Sequence, residues 1–323
     1  LDENVIDSIK GLPDAARQRI ERQASSGVRS SLFSAPATAA ARSAGLVPVG
    51  EVFGCLVMNL GWSGGGCGWY GPMTTTFGGG MGFSTAQTSL GGGFAPSASS
   101  PVITSGNGGR FSGLSPYVEA IEAGWNGALQ RLLAEAKALG AHGVVGITIE
   151  RTLLQNRVWE FTALGTAVRS TDSTIAPFPG EGEVWSTDLS AEDTASAILS
   201  GFIPHEIVLG LSVSTKHEDW QLRNQRMSWD NQEVDGMTEL IRAARDEARS
   251  RLVSRATHSG GAHLVVTQMG LYEFETECGG QEGKDFHAEA SFVGTTLVPV
   301  PRSHTPETSR VMTVLPLRDR TQR

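Results

Sequence analysis

The sequence predicts an α+β protein: two tandem copies of one small unit, each an antiparallel sheet covered by helices. Three landmarks recur in the same order and carry that reading. Gly45-Leu46-Val47-Pro48-Val49-Gly50 answers to Gly201-Phe202-Ile203-Pro204-His205-Glu206. Ala138-Leu139-Gly140-Ala141-His142-Gly143-Val144-Val145 turns from a long helix into a strand, and Ser259-Gly260-Gly261-Ala262-His263-Leu264-Val265-Val266 does the same. Phe161-Thr162-Ala163-Leu164-Gly165-Thr166 answers to Ala290-Ser291-Phe292-Val293-Gly294-Thr295. An ordered internal repeat sets the architecture before any single element is assigned.

Residues 1–31 form an N-terminal segment with a short helix over residues 11–23, where Pro13 sits near the start and tolerates its missing N–H. The first repeat, residues 32–172, opens at Leu32-Phe33-Ser34, passes an Ala-rich helix and enters the strand Leu46–Leu60. Pro48 lies near the beginning of that strand, where an absent donor costs least. From Ser115-Pro116 to Leu139, Val118, Ile121, Trp125, Leu129, Leu132 and Ala136 fall at helical spacing. Glu119 and Glu122 are read in the first turn of that helix, where its dipole favours them. Gly140 is placed for a left-handed cap. Strands Val144–Glu150 and Val158–Arg169 close the repeat.

Residues 173–183, rich in Pro and Gly, read as a linker. The second repeat, residues 184–300, runs through a short helix after Ser190, a strand Phe202–Thr215 and a helix Val234–Ala256. The strands His263–Thr276 and Phe286–Val300 complete it. Residues 301–323 are a C-terminal tail.

An insertion, residues 61–113, interrupts the first repeat. From Val52 to Gly109 there is no Asp, Glu, Lys, Arg or His. Glycine and serine alternate there with large apolar groups, among them Trp62, Trp69, Phe77 and Phe83. A solvated linker would not carry so many, so these four are assigned to assembly, against neighbouring subunits or the lumen of a ring. A hairpin entering a membrane after several copies close a barrel is the alternative.

The net charge of −8 argues against nucleic acid, which needs clustered Lys and Arg. Three scattered cysteines make no disulfide framework, the first residues do not read as a signal peptide, and no apolar run is long enough to span a bilayer. The expectation is a soluble cytoplasmic protein.

No nucleophile elbow, phosphate-binding loop or dinucleotide fingerprint occurs, so no catalytic residue is assigned. Soft-metal sites want Cys or His at short spacing, and none is present. His142 and His263, at corresponding helix-to-strand turns, are the candidate metal ligands. The simpler alternative is that each satisfies a neighbouring backbone group. Cys55 reads as a small buried hydrophobe, and Cys67, between two glycines, as the more reactive thiol.

The run Glu135-Ala136-Lys137-Ala138-Leu139-Gly140-Ala141-His142-Gly143-Val144-Val145-Gly146-Ile147, with Ala163-Leu164-Gly165-Thr166-Ala167-Val168, resembles the YbjQ family, labelled as heavy-metal-binding. The second repeat shares Ser259-Gly260-Gly261-Ala262-His263 and Gly294-Thr295-Thr296. Tandem members of this kind resemble actinobacterial proteins. The resemblance implies an α+β domain that assembles into a ring, commonly a pentamer, and implies no established activity. The expected function is a non-enzymatic homo-oligomeric ring or scaffold whose partner is itself, in at least five chains. Two alternatives stand beside it. One is a sensor binding a heavy or transition metal, or a small ligand, at subunit boundaries near His142 and His263. The other is a pore-like assembly that uses the insertion.

Overall fold

The computed structural model describes residues 13–26, 30–60, 100–106, 114–155, 157–171, 183–277 and 283–299. The first unit contains α1 (Asp14–Ser26), α2 (Ala35–Ser43), β1 (Leu46–Asn59), β2 (Val102–Thr104), α3 (Leu114–Ala138), β3 (Gly143–Gln155) and β4 (Val158–Ser170). The second contains β5 (Trp185–Ser186), α4 (Ala191–Leu199), β6 (Phe202–His217), α5 (Trp220–Arg226), α6 (Asp235–His258), β7 (His263–Glu277) and β8 (Lys284–Pro299). The short helices α2 and α4 start alike: Ser34 accepts from the Ala37 N–H and Ser190 from the Asp193 N–H. Each serine oxygen supplies an acceptor to a first-turn donor. No helix among the described residues is long and apolar enough to cross a membrane.

Among the described residues two four-stranded sheets result, ordered β1-β4-β3-β5 and β2-β6-β8-β7. The last strand of each unit lies inside its sheet between two antiparallel neighbours, β4 between β1 and β3, and β8 between β6 and β7. The units also exchange strands. β5 joins β3 in parallel at Gly143 and Val144, so the first sheet is not purely antiparallel. β2, from the end of the insertion, pairs with β6 of the second sheet, so residues 102–104 belong in space to the other unit.

Helix and strand approach closely in the same way in both units. A Cβ on Gly54 would lie 1.9 Å from the Ala128 carbonyl oxygen and 2.8 Å from the Leu132 nitrogen. A Cβ on Gly210 would lie 2.2 Å from the Ala248 carbonyl oxygen and 2.9 Å from the Leu252 nitrogen. Gly165 and Gly294 also match, opposite Val52 and Val208. The helix ends require one correction. The left-handed residues are Gly140 (φ 67°) and Gly260 (φ 76°), so Gly140 corresponds to Gly260 and not Gly261. The next strands confirm the shift: Gly143 pairs with Val168 as His263 pairs with Leu297. His142 therefore corresponds to Ala262, and His263 to Gly143. The two histidines do not share a position.

A further difference lies at residues 220–226. This charged stretch carries no clear apolar periodicity, yet it forms α5, capped by Asp219 accepting from the Leu222 N–H, with Leu222 buried beneath it.

The core sits between layers. α3 lies on the first sheet through Ile121, Ala128 and Leu132, beside Val52, Phe161 and Ala163. The same apolar cluster continues into Ile207, Leu209, Leu211 and Val213 of β6. α3 is thus covered by its own sheet and by the outer face of the second. α6 lies on the opposite face of the second sheet, with Leu240, Ala244 and Ala248 against Ala288 and Ala290.

Candidate assembly interface

The junction of the two units is built on helix α3, which is apolar on both sides. Trp125 meets Phe161 edge to face, with ring centroids 6.4 Å apart. Leu129 and Leu133 look toward Ile207 across a cavity of about 380 Å³ that also touches Lys137, Glu183 and His205. A second cavity of about 460 Å³, on the other side of Glu206-Ile207, is lined by Asn126, Leu209, Arg255 and His258.

Charged clamps flank this apolar seam. Arg255 of α6 donates to the Glu122 carboxylate of α3 at 2.5 Å and to the Leu209 carbonyl oxygen at 2.7 Å. Arg251 stands 4.0 Å from the same carboxylate. Toward the start of α3, the Tyr117 hydroxyl donates to Glu289 at 2.9 Å, and Arg151 of β3 lies 3.0 Å from that carboxylate. Burial, then the Glu289 charge, pushes the Tyr117 hydroxyl well above its usual range, so it remains a neutral donor. The Arg151 guanidinium also stacks 4.7 Å over the Trp159 ring. Glu289 is buried, so both partners are needed to offset its lost hydration.

Beyond this clamp the second sheet carries a buried histidine. His287 shares hydrogen bonds with Thr215 at 2.7 Å and Thr276 at 2.8 Å, and its ring stacks on Phe274 at 4.7 Å. Burial holds its pKa down at about 4.

The edge strand β1 is guarded by side chains. The Glu135 carboxylate, with no solvent exposure, accepts from the Phe53 N–H at 2.8 Å. Arg19 of α1 donates to both Glu135 oxygens, at 2.7 and 2.9 Å, and to the Phe53 carbonyl oxygen at 3.3 Å. Arg131 donates to the Cys55 carbonyl oxygen. Occupying edge groups in this way blocks edge-to-edge pairing.

The residues singled out in the sequence fall elsewhere. His142 is half-buried and its Nδ1 accepts from the Ser170 N–H at 3.1 Å. Desolvation, and then Arg169, lowers its pKa. His263 is exposed and meets the Phe202 ring edge to face at 4.8 Å. Their surroundings are separate, and among the described residues no group of three or more His, Cys, Asp or Glu is placed to hold a metal ion. Cys55 is half-buried, and its thiol donates to Glu160 at 3.2 Å. Burial, with that bond, pushes it up to about 11, which suppresses the thiolate. Trp62, Trp69, Phe77, Phe83 and Cys67 lie outside the described residues. The clamps were missed because each ion pair in them joins residues more than a hundred apart in sequence, with no local motif.

Comparison with known proteins bears on this arrangement. The profile of the YbjQ family, described as "putative heavy-metal-binding", matches residues 100–171. These span β2, α3, β3 and β4. The chain is 31% identical over 182 residues to the encapsulin nanocompartment protein Rv1762c of Mycobacterium tuberculosis. That alignment covers 51% of this chain and 66% of the relative, so the chain spans just under two thirds of the relative's length. No solved structure matches. With its long helix seated on a two-stranded return, the segment over residues 100–171 is similar to a YbjQ-family domain.

Proposed function

We propose that this chain is a non-enzymatic assembly protein, a tandem pair of YbjQ-like units that closes head to tail into a homo-oligomeric ring of at least five chains. One observation carries the reading: α3 is packed on both sides, by its own sheet and by the outer face of the second sheet. The matching surfaces at the two ends of the pair have no such cover among the described residues. Arg242, Asp246, Arg249 and Val253 of α6 are exposed. So are Val57, Thr148, Glu150 and Leu164 on the outer face of the first sheet. A heterologous contact of this kind repeats until it closes.

The relative's name attaches that protein to an encapsulin nanocompartment, which agrees with a role in protein assembly. The uncharged insertion fits the same role as an element between subunits or toward the lumen. Because β2 pairs with β6, the deletion that tests this role must spare residues 100–106: removing residues 64–98 is expected to weaken assembly, read by sedimentation velocity, while the second unit stays folded. A deletion variant that assembles as well as the parent would remove the insertion from the account. The family description motivates the competing reading, a metal- or small-ligand-binding sensor with sites at subunit boundaries.

A further inference from the structure

We propose that the outward face of α6 docks on the outer face of the first sheet of a second copy, with Arg242 on Glu135 and Arg249 on Glu51, and that Arg19 competes for Glu135. The proposal rests on the homo-oligomer reading and names the surfaces that meet.

The junction within the chain serves as the template. Because Gly54 sits under Ala128 and Leu132, and Gly210 under Ala248 and Leu252, each α3 position has a counterpart 120 residues later in α6. Glu122 corresponds to Arg242, and Glu135 to Arg255. Inside the chain, Glu122 of one unit pairs with Arg255 of the next at 2.5 Å. The same contact carried one unit further brings Arg242 to Glu135 of the next chain. The signs are reversed at both members of this pair, so its attraction survives; Arg251, 4.0 Å from Glu122, has as its counterpart Arg131, which is turned to the Cys55 carbonyl oxygen. Reversal at one partner alone would place like charges together at a cost.

A second pair changes in concert. Leu129 and Ile207 face each other across the internal cavity. Their counterparts are Arg249 and Glu51, the latter fixed because Glu51 pairs with Thr166 as Ile207 pairs with Thr295. An apolar pair is thus replaced on both sides by opposite charges. Arg242 and Arg249 are exposed on α6 and Glu51 is half-buried on β1. The outer face of the first sheet adds Glu150 and Glu160, which extends the acidic surface facing a basic helix. Complementary charge of this kind fixes register and speeds encounter.

Arg19 supplies the missing cation from within the chain. Its guanidinium holds both Glu135 oxygens, reaches the Phe53 carbonyl oxygen and lies 5.5 Å over the Phe53 ring. At the internal junction Arg255 makes the corresponding backbone contact, to the Leu209 carbonyl oxygen. Leu209 is the counterpart of Phe53. α1 is anchored by Ala16 and Ile20 on Ala138, a small apolar contact that a neighbouring helix can displace.

Sedimentation velocity of the full chain over a concentration series tests this. The Arg242→Glu, Arg249→Glu double variant changes exposed residues and is expected to raise the concentration for half-assembly about tenfold or more. Arg19→Ala is expected to lower it several-fold, because Glu135 is released. Parent-like assembly of the double variant overturns the docking surface while leaving the homo-oligomer reading intact. An Arg19→Ala chain that assembles no better than the parent overturns the competition. A parent chain that is monomeric throughout overturns the homo-oligomer reading itself.

Discussion

Gly54 and Gly210 are placed alike: each lies beneath a helix whose backbone would collide with a side chain there. The packing around them compensates in the same way. In the first unit Phe161 leans on Gly124, where a Cβ would come within 2.6 Å of the ring. In the second unit the counterparts are Ala290 and Ala244, both buried. Large against absent has become small against small. The helix keeps its seat because volume is conserved across the pair.

Gly54→Ala and Gly210→Ala are each expected to destabilise the protein by about 1–3 kcal/mol, since the blocking atoms are helix backbone. Urea titration followed by circular dichroism measures this. Parent-like midpoints would show that neither helix is seated as described.

Stability should fall with acid in a defined window. The folded-state pKa of His287 is about 4, against an ordinary value of 6.5. The unfolded chain takes a proton as pH drops below about 6.5, and the folded one refuses it until about 4. The folded state therefore loses about 2–3 kcal/mol across that window from this residue. The lowered pKa of His142 acts in the same direction. Denaturation at pH 7 and near pH 4.5 should show the loss, and His287→Gln should shrink it. An undiminished loss in the variant would place its origin elsewhere.

Glu135 and Arg19 should act as one unit. Glu135→Ala removes the acceptor of the Phe53 N–H and the partner of Arg19, for a cost of about 3 kcal/mol. Arg19→Ala leaves the Glu135 carboxylate, which has no solvent exposure, without its cation, and should also cost about 3 kcal/mol. A double-mutant cycle read by urea unfolding midpoints decides it: the double variant should cost less than the sum of the single ones, and additive costs would contradict the pairing.

Much of the fold was legible because periodicity and glycine placement are local. The stripe Ile121-Trp125-Leu132 announced α3, and Gly140 its end. The interface was not legible, for a physical reason. It depends on which residues face one another across units, and that depends on register to a single residue. Aligning Gly140 with Gly261 matched the two histidines and hid the charge reversal. Aligning it with Gly260, the residue that adopts positive φ, separates the histidines and sets Glu135 against Arg255. β2 and β5 were missed for a related reason, since strands of two or three residues take their stability from the sheet they join.

Metal content should be low and unconnected with the two histidines. His142 already spends its Nδ1 lone pair on the Ser170 N–H, and His263 sits against Phe202. Elemental analysis of untagged protein is expected to give zinc, copper and nickel well below one per chain, unchanged by His142→Ala with His263→Ala. Near-stoichiometric metal lost in that variant would favour the sensor reading.

Native mass spectrometry of the full chain at micromolar concentration tests assembly most directly. A closed head-to-tail ring predicts one dominant species whose mass is a whole multiple, five or greater, of the 34.2 kDa chain. A lone 34.2 kDa species, or an unbroken ladder of increasing masses without a preferred size, would contradict it.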